Sequence, residues 1–306
     1  MAARLGRGKL GSTGGRNAVA DNVRSVLSVG ATLGEGPIWF DDALWFVDIK
    51  RQHINRFDPV GGAAKRWDAP TQVGWIVPVA GGGTLVGLQT GLHRFDPATG
   101  GFALLHNPEA DRPGNRLNDA TVDGRGRLWF GSMDNGERAL TGRLYRCVDG
   151  RCADSGLAPV AITNGPSVSA DARTLYHTDT LGKIIWRVPI NDDGSLGVAT
   201  RHVEIEAGAG HPDGSVLDAD NHLWTGLYGG WGLRRYDPAG RLVKTVHLPV
   251  ANVTKMAFGG ADLRTAYATT ARKGLSDAEL SAQPLAGDLF AFDPGVAGLP
   301  VTPAKV

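Results

Sequence analysis

This chain of 306 residues lacks most of the sequence features that mark common hydrolases, nucleic-acid-binding proteins and membrane proteins. It has no GxSxG sequence and no pair of histidines in HxxxH spacing, which argues against a serine nucleophile elbow and a histidine-rich zinc hydrolase. The formal net charge is +1 and the basic residues are scattered, so no basic patch predicts nucleic-acid binding. The longest uncharged run, residues 69–92, contains two prolines and three consecutive glycines and predicts strands instead of a membrane helix. We therefore expect a soluble protein without nucleic-acid or membrane partners.

Helical periodicity is nearly absent, but short strand-like sequences recur about every 45 residues, a period typical of propeller blades. The copies are LWFVD from Leu44, LVGLQ from Leu85, LWFGS from Leu128, LYHTD from Leu175, LWTGL from Leu223 and AYATT from Ala266. A second run ending in a turn follows each copy, beginning at Ile54, Leu92, Leu144, Ile184, Leu233 and Leu289. The 44 glycines suit a chain with many tight turns. The pattern predicts an all-β, six-bladed β-propeller; a β-sandwich or two small β domains would not repeat so evenly.

The first residues differ in composition from the rest, with four basic residues and five glycines before the first acidic residue, Asp21. No apolar segment there is long enough for a secretory signal, which favours a cytoplasmic protein. We expect residues 1–25 to be a disordered or non-native tail, with an amphipathic targeting presequence as the alternative. Residues 26–306 are expected to form the propeller, and Val23 to Val29 to supply a strand that closes the ring against the last blade.

The only two cysteines, Cys147 and Cys152, flank the turn sequence Asp149-Gly150. A two-residue hairpin would place them opposite each other, so a disulfide is geometrically possible. Because a cytoplasmic protein keeps its thiols reduced, we interpret both as packing residues.

Four polar segments interrupt the repeats, and each precedes a repeated aromatic residue by ten to twelve positions. They are LGEGPIW around Glu35, NRLNDATVD around Asn118, ITNGPSVSAD around Asn164 and HPDGSVLD around Asp213. This register predicts one oxygen-bearing side chain at the start of the innermost strand in each of four blades. Two carboxylates and two amide oxygens suit a divalent cation, although such residues also cap turns.

The same segments resemble the SMP-30/gluconolactonase/regucalcin-like family of six-bladed propellers, from about Leu33 to the end of the chain. The similar sequences are TLGEGPIW, LWFVDIK, NDATVD, GRLWFGSM, ITNGP, YHTDTL, PDGSV, NVTK and ATTARKGLSD, and they are most similar to bacterial xylonolactonases and arabinonolactonases. The resemblance implies one divalent metal ion (Ca, Zn, Mn, Mg or Fe(II)) bound by Glu35, Asn164 and Asp213. It also implies that Arg116 and Asn118 bind the substrate, a sugar-acid lactone.

The chemistry of lactone hydrolysis fits these residues. A cation would polarise the lactone carbonyl, and Asp213 is our candidate both for metal ligand and for general base. Two other functions stay open: a calcium-binding regulatory or scaffold propeller without catalysis, and a broader esterase or phosphotriesterase. We expect the aldonolactone preference to be set by loops outside the repeats, including residues 134–139 and the insertion before His211. No motif indicates the oligomeric state.

Three positions differ from the pattern of close relatives: His211, Leu117 and Ser167. We expect these differences to affect the shape of the pocket and not the proposed ligands. His211 is expected to be a solvated loop residue, with a titrating group near the site as the alternative. The eight tryptophans are expected to pack mostly between blades, with Trp75 or Trp231 as candidates for lining the pocket.

Overall fold

The fold is known from a computed structural model that describes residues 22–306. Six four-stranded antiparallel sheets form the blades, which confirms the predicted all-β, six-bladed propeller. We number the blades by their first strands, which contact one another around the ring and enclose a central channel.

The strands of each blade are given from the channel outward. Blade 1 contains β2 (Gly34–Phe40), β3 (Ala43–Asp48), β4 (His53–Phe57) and β5 (Ala64–Asp68). Blade 2 contains β6 (Val73–Pro78), β7 (Thr84–Leu88), β8 (Gly91–Asp96) and β9 (Gly101–His106). Blade 3 contains β10 (Asn115–Val122), β11 (Leu128–Asp134), β12 (Leu144–Val148) and β13 (Arg151–Asp154).

Blade 4 contains β14 (Thr163–Val168), β15 (Thr174–Asp179), β16 (Ile184–Pro189) and β17 (Thr200–Glu204). Blade 5 contains β18 (His211–Leu217), β19 (Leu223–Tyr228), β20 (Gly232–Tyr236) and β21 (Leu242–His247). Blade 6 contains β22 (Val253–Gly259), β23 (Thr265–Thr270), β24 (Leu289–Phe292) and β1 (Arg24–Leu27). The helix α1 (Asp277–Ala282) lies in the connection between β23 and β24.

The hydrophobic core is divided among the interfaces between blades. Six apolar clusters of the described chain each join two neighbouring blades, and together they complete the circle. Trp75, Trp129 and Trp224 are fully buried in three of these interfaces. The indole N–H groups of Trp129 and Trp224 donate to the buried carboxylates of Asp123 and Asp218 at 2.8 Å, so neither indole donor lacks a partner. The prediction that most tryptophans pack between blades holds for these three.

Strand β1 closes the ring, as predicted for Val23 to Val29. It pairs antiparallel with β24, with Arg24 opposite Ala291. The buried carboxylate of Asp288 fixes this junction, because it accepts hydrogen bonds from the hydroxyls of Ser25 at 2.9 Å and Ser28 at 3.1 Å. Most of the predicted tail, residues 1–25, lies outside the described residues and stays a prediction.

Cys147 and Cys152 face each other across the β12–β13 hairpin, as their spacing predicts. Their sulfurs form a disulfide, with the two Cα atoms 4.1 Å apart, so the interpretation as two separate packing thiols is wrong. The directly opposed register brings the side chains together whatever the compartment.

Within residues 22–306, no helix is long and apolar enough to cross a membrane. The cytoplasmic location is not tested by this finding and stays a prediction.

Candidate active site

The innermost strand of every blade is irregular near its beginning. The pairing with the second strand shifts between Glu35 and Ile38 in β2, and equivalent shifts occur in β6, β10, β14, β18 and β22. A bulge of this kind releases residues from the ladder and turns their side chains toward the bulged face. Glycines permit the shape: Gly165 has φ +41°, and an added Cβ would lie 2.4 Å from the backbone nitrogen of Ser215. The Gly-Pro and Asp-Gly pairs of the sequence therefore mark the bulges.

All five predicted site residues line one cavity of about 140 Å³ at the end of the channel where the innermost strands begin. Each is buried, with between 2% and 6% of its surface exposed: Glu35, Arg116, Asn118, Asn164 and Asp213. The structure thus brings together residues from blades 1, 3, 4 and 5, as the common offset from the aromatic repeat predicts.

A chain of hydrogen bonds fixes three of these side chains. Arg116 Nη1 donates to Asn118 Oδ1 at 2.6 Å, and Asn118 Nδ2 donates to Asn164 Oδ1 at 2.8 Å. Asn164 Nδ2 in turn donates to the hydroxyl of Thr180 at 2.9 Å. Asn118 therefore orients Asn164, and Asn164 Oδ1 keeps one lone pair for a further contact.

Two of the carboxylates that line the cavity, those of Glu35 and Asp213, lie where ionisation is unfavourable. Burial, together with the nearby carboxylate of Asp119, raises the pKa of Glu35 from 4.5 to about 8. Burial and the charges of Glu35 and Asp119 likewise raise the pKa of Asp213 well above its ordinary value. Burial lowers the pKa of Arg116 to about 10, which leaves its guanidinium charged at neutral pH. The site has an excess of negative charge that positive charge would relieve.

The oxygen atoms of Glu35, Asn164 and Asp213 suit a divalent cation. Within residues 22–306, no donor hydrogen-bonds the carboxylate of Asp213, and that of Glu35 accepts one bond, from the Gly36 amide at 2.6 Å. With Asn164 Oδ1 they form a set of oxygen ligands typical of calcium, magnesium and manganese sites.

A buried ion pair behind the cavity was not predicted. Lys255 Nζ in β22 lies 2.6 Å from Asp119 Oδ1 in β10, and Asp119 Oδ2 accepts a hydrogen bond from the Gly165 amide at 2.9 Å. The pair thus braces the strand of Asn164 from behind. Asp119 and Lys255 occur in the NDATVD and NVTK sequences, so both were within motifs that the analysis had identified, but no spacing indicated that they meet.

The rim of the cavity comes from loops that the repeats do not describe. Glu137, in the predicted specificity loop 134–139, pairs with Lys273 from blade 6, and both line the cavity. Tyr228 and Thr180 also line it. The expectation of a solvated loop for His211 is wrong: it begins β18, lines the cavity and places Nδ1 3.2 Å from the carbonyl of Thr180.

The other two positions that differ from close relatives, Leu117 and Ser167, lie outside this cavity. Leu117 belongs to the core between blades 2 and 3, and Ser167 lines a second cavity of the channel. Trp75 lines that second cavity as well, and Trp231 is 45% exposed and does not line the site. Neither tryptophan is therefore a lining residue of the candidate active site.

A second acidic group, Asp218, Asp220 and His222, occupies the β18–β19 turn. Its central carboxylate, Asp218, already accepts hydrogen bonds from Arg235 Nε at 2.7 Å, Trp224 Nε1 at 2.8 Å and two turn amides. These bonds explain Asp218 as a structural residue of the turn.

The chain is similar to known proteins over most of its length. Residues 33–272 match the SMP-30/Gluconolactonase/LRE-like region. The chain belongs to this family. Its relatives in the family include a 6-deoxy-6-sulfogluconolactonase of Pseudomonas putida, 32% identical over 91% of this chain and 97% of that protein. An L-arabinolactonase of Azospirillum brasilense is 33% identical over 88% of this chain and 90% of that protein.

A solved structure of the family has the same propeller. It is the calcium-binding protein regucalcin from Agrobacterium tumefaciens, 28% identical, with a TM-score of 0.87 over 92% of this chain and 97% of that chain. The predicted family and fold are both confirmed.

Proposed function

We propose that this protein hydrolyses a sugar-acid lactone, such as a xylono-, arabinono- or gluconolactone, to the aldonic acid with the help of one divalent cation. The observation that carries the proposal is the meeting of Glu35, Asn164 and Asp213 with Arg116 and Asn118 in one cavity. At the level of reaction class, the chain is a hydrolase of lactone ester bonds, which follows from its family and its lactonase relatives.

Glu35, Asn164 and Asp213 are the proposed metal ligands. A divalent cation bound there would polarise the lactone carbonyl and lower the pKa of a nearby water molecule. The identity of the ion is a matter for experiment, because oxygen ligands alone do not select among Ca, Zn, Mn, Mg and Fe(II).

Asp213 is the proposed general base, which accepts a proton from the attacking water at its carboxylate. A base has to be ionised, and burial beside Glu35 opposes ionisation of Asp213. Positive charge in the cavity is therefore a requirement of the mechanism as well as of the binding site. Burial excludes bulk water from these groups and strengthens their electrostatic interactions.

Arg116 and Asn118 are the proposed substrate-binding residues. Arg116 uses Nη1 for Asn118 and for the carbonyl of Leu117, while its buried Nε has no hydrogen-bond partner among the described residues. Arg116 lines the cavity and its guanidinium is charged at neutral pH, which suits contact with a ring oxygen or a hydroxyl of a sugar lactone.

One alternative keeps an observation in its favour, namely the regucalcin structure, which is described as calcium-binding. A non-catalytic calcium-binding propeller would use the same oxygen ligands without needing a general base. Turnover separates the two functions.

The test is acid release from D-xylono-, L-arabinono- and D-gluconolactone, followed with a pH indicator. Chelator-stripped protein is assayed alone and with Mn²⁺, Zn²⁺, Ca²⁺ or Fe²⁺. Hydrolysis restored by an ion supports the proposal and ranks substrates and ions; a 6-sulfonated gluconolactone extends the series. Rates equal to spontaneous hydrolysis with every ion would contradict it.

A further inference from the structure

Lys50, in the turn between β3 and β4, is a half-buried lysine without a carboxylate partner among residues 22–306. Its Nζ donates to two neutral amides, Gln72 Oε1 at 2.9 Å and Asn135 Oδ1 at 3.0 Å. An ammonium group has three donors, so one N–H is left over. By contrast, the buried Lys255 is paired with Asp119.

Two cations and one carboxylate lie near Lys50. Burial, and then the charges of Arg116 and Lys273, lower the pKa of Lys50 to about 8, while the carboxylate of Glu137 acts in the opposite direction. Arg116 and Lys273 line the cavity, and Asn135 belongs to the same loop as the lining residue Glu137. Lys50 also directly follows Ile49, which lines the cavity, so the ammonium group lies beside the rim and close to two like charges.

The two amides from other blades hold the ammonium group in place. Gln72 precedes β6 of blade 2, and Asn135 follows β11 of blade 3, so Lys50 of blade 1 is fixed between three blades. A flexible lysine positioned in this way loses less entropy when it binds a ligand.

We propose that Lys50 is a substrate-binding residue that donates to the hydroxyl oxygens at the end of the lactone remote from its carbonyl. This inference rests on the proposed function. In this orientation the carbonyl end faces the acidic ligands Glu35 and Asp213, and the hydroxyl-bearing end extends toward Arg116 and the remaining N–H of Lys50. Polyhydroxylated ligands are dense in acceptors, which suits a rim built of donors.

The substitution Lys50→Met tests the proposal, because it removes the donors and keeps the aliphatic stem. For aldonolactones, KM is expected to rise about tenfold or more, as loss of a charged hydrogen bond would cause, while kcat changes less. For γ-butyrolactone, which carries no hydroxyl groups, KM and kcat are expected to stay as in the wild type. The matched control is Lys65→Met, at an exposed position of β5 in the same blade. It should leave KM and kcat unchanged for both kinds of lactone.

Loss of activity by the same factor for both lactone types would overturn the proposal, because it would indicate a structural effect; so would unchanged kinetics with aldonolactones. Lys50→Gln repeats the comparison if Lys50→Met does not fold.

A second measurement separates this inference from the proposed function. Binding of xylitol to the metal-loaded protein is measured by calorimetry, without any turnover. Weaker binding by Lys50→Met supports the role of Lys50 even if no lactone is hydrolysed, in which case only the proposed function fails. Equal binding by both proteins, or no binding by the wild type, would overturn the role of Lys50.

Discussion

The two ends of the central channel are built from the same six strands but differ in chemistry. At the end where these strands begin, a cavity of about 140 Å³ holds Glu35, Asn164 and Asp213. Further along the same strands, a larger cavity of about 340 Å³ is lined by residues such as Ile38, Val77, Val168, Met256 and Phe258, with the hydroxyls of Ser167 and Ser215. Cavity size alone therefore does not identify the candidate site, because the converging carboxylate and amide oxygens line the smaller cavity.

The reason lies in strand geometry. Along a regular strand, alternate side chains point into the blade interfaces, where only apolar residues pack well. At the bulges this constraint is relaxed, so polar residues such as Asp213 and Asn118 can face the channel. Asp119 and Lys255 lie at the boundary between the two ends.

The largest expected effect is on turnover, when the proposed base at the acidic end of the channel is replaced and a residue of the far cavity serves as the control. Asp213→Asn is expected to lower the turnover of aldonolactones by about 10²–10⁴-fold at saturating metal, because general-base catalysis is lost. Ser215→Ala, two residues further along β18 in the far cavity, is the control and should retain wild-type turnover. Steady-state kinetics with circular dichroism checks both; wild-type rates in Asp213→Asn would place the chemistry elsewhere.

The substitution Lys255→Met removes the ion pair between Lys255 and Asp119 at the boundary between the two ends. This variant leaves the buried carboxylate of Asp119 unpaired, and we expect a loss of about 3–5 kcal/mol in the free energy of unfolding. Urea denaturation measures it. The double variant Asp119→Asn/Lys255→Met should recover much of the loss, since no unpaired charge remains; a Lys255→Met protein as stable as the wild type would contradict the role of the pair.

The pH dependence of stability should differ between wild type and Glu35→Gln when metal is removed. The pKa of Glu35 is about 8 in the folded protein and 4.5 ordinarily, so between these values the folded state binds more protons than the unfolded state. Stability therefore falls as pH rises from 4.5 to 8, on the order of a few kcal/mol. Glu35→Gln should lack this contribution.

Urea midpoints at pH 5 and pH 8 measure this difference between the two proteins. His177 acts in the opposite direction below pH 6.5, because burial lowers its pKa to about 4, but it is present in both proteins. Identical pH slopes in wild type and Glu35→Gln would show that Glu35 does not titrate as described.

Metal addition should have the smallest of these effects. At pH 8, Ca²⁺ or Mn²⁺ at 100 times its dissociation constant should stabilise the wild type by about 2.7 kcal/mol through binding to the folded state alone. The shift should shrink in Glu35→Gln and persist in Ser167→Ala of the far cavity. Thermal melts provide the measurement, and equal shifts in Glu35→Gln and wild type would exclude Glu35 as a ligand.

Much of the fold could be predicted because the repeats coincide with the second and third strands of each blade. The second strands are buried on both faces and therefore carry a strong apolar signal, as in Leu44 to Asp48. The outermost strands carry almost none: β9, for example, is mostly exposed and has no repeated sequence. The disulfide was missed because the thiol state was inferred from the compartment and not from the register.

The meeting of the candidate residues Glu35, Asn118, Asn164 and Asp213 was predictable because each precedes its blade's aromatic residue by ten to twelve positions. The role of Lys255 could not be predicted, because its contact with Asp119 spans 136 positions of sequence. That contact depends on how blades 3 and 6 are arranged around the ring. Glu137 and Lys273 meet from opposite sides of the channel mouth, and no local pattern encodes that meeting.

The junction between β1 and β24 also has a consequence for how the protein is made. Ser25 and Asp288, which hold this junction, are separated by 263 positions of sequence. During synthesis, the strands of blades 1 to 5 follow one another and can pair as they leave the ribosome, but β1 has to wait for β24, at Leu289–Phe292. Closure of the ring is thus the last pairing step between blade strands to become possible.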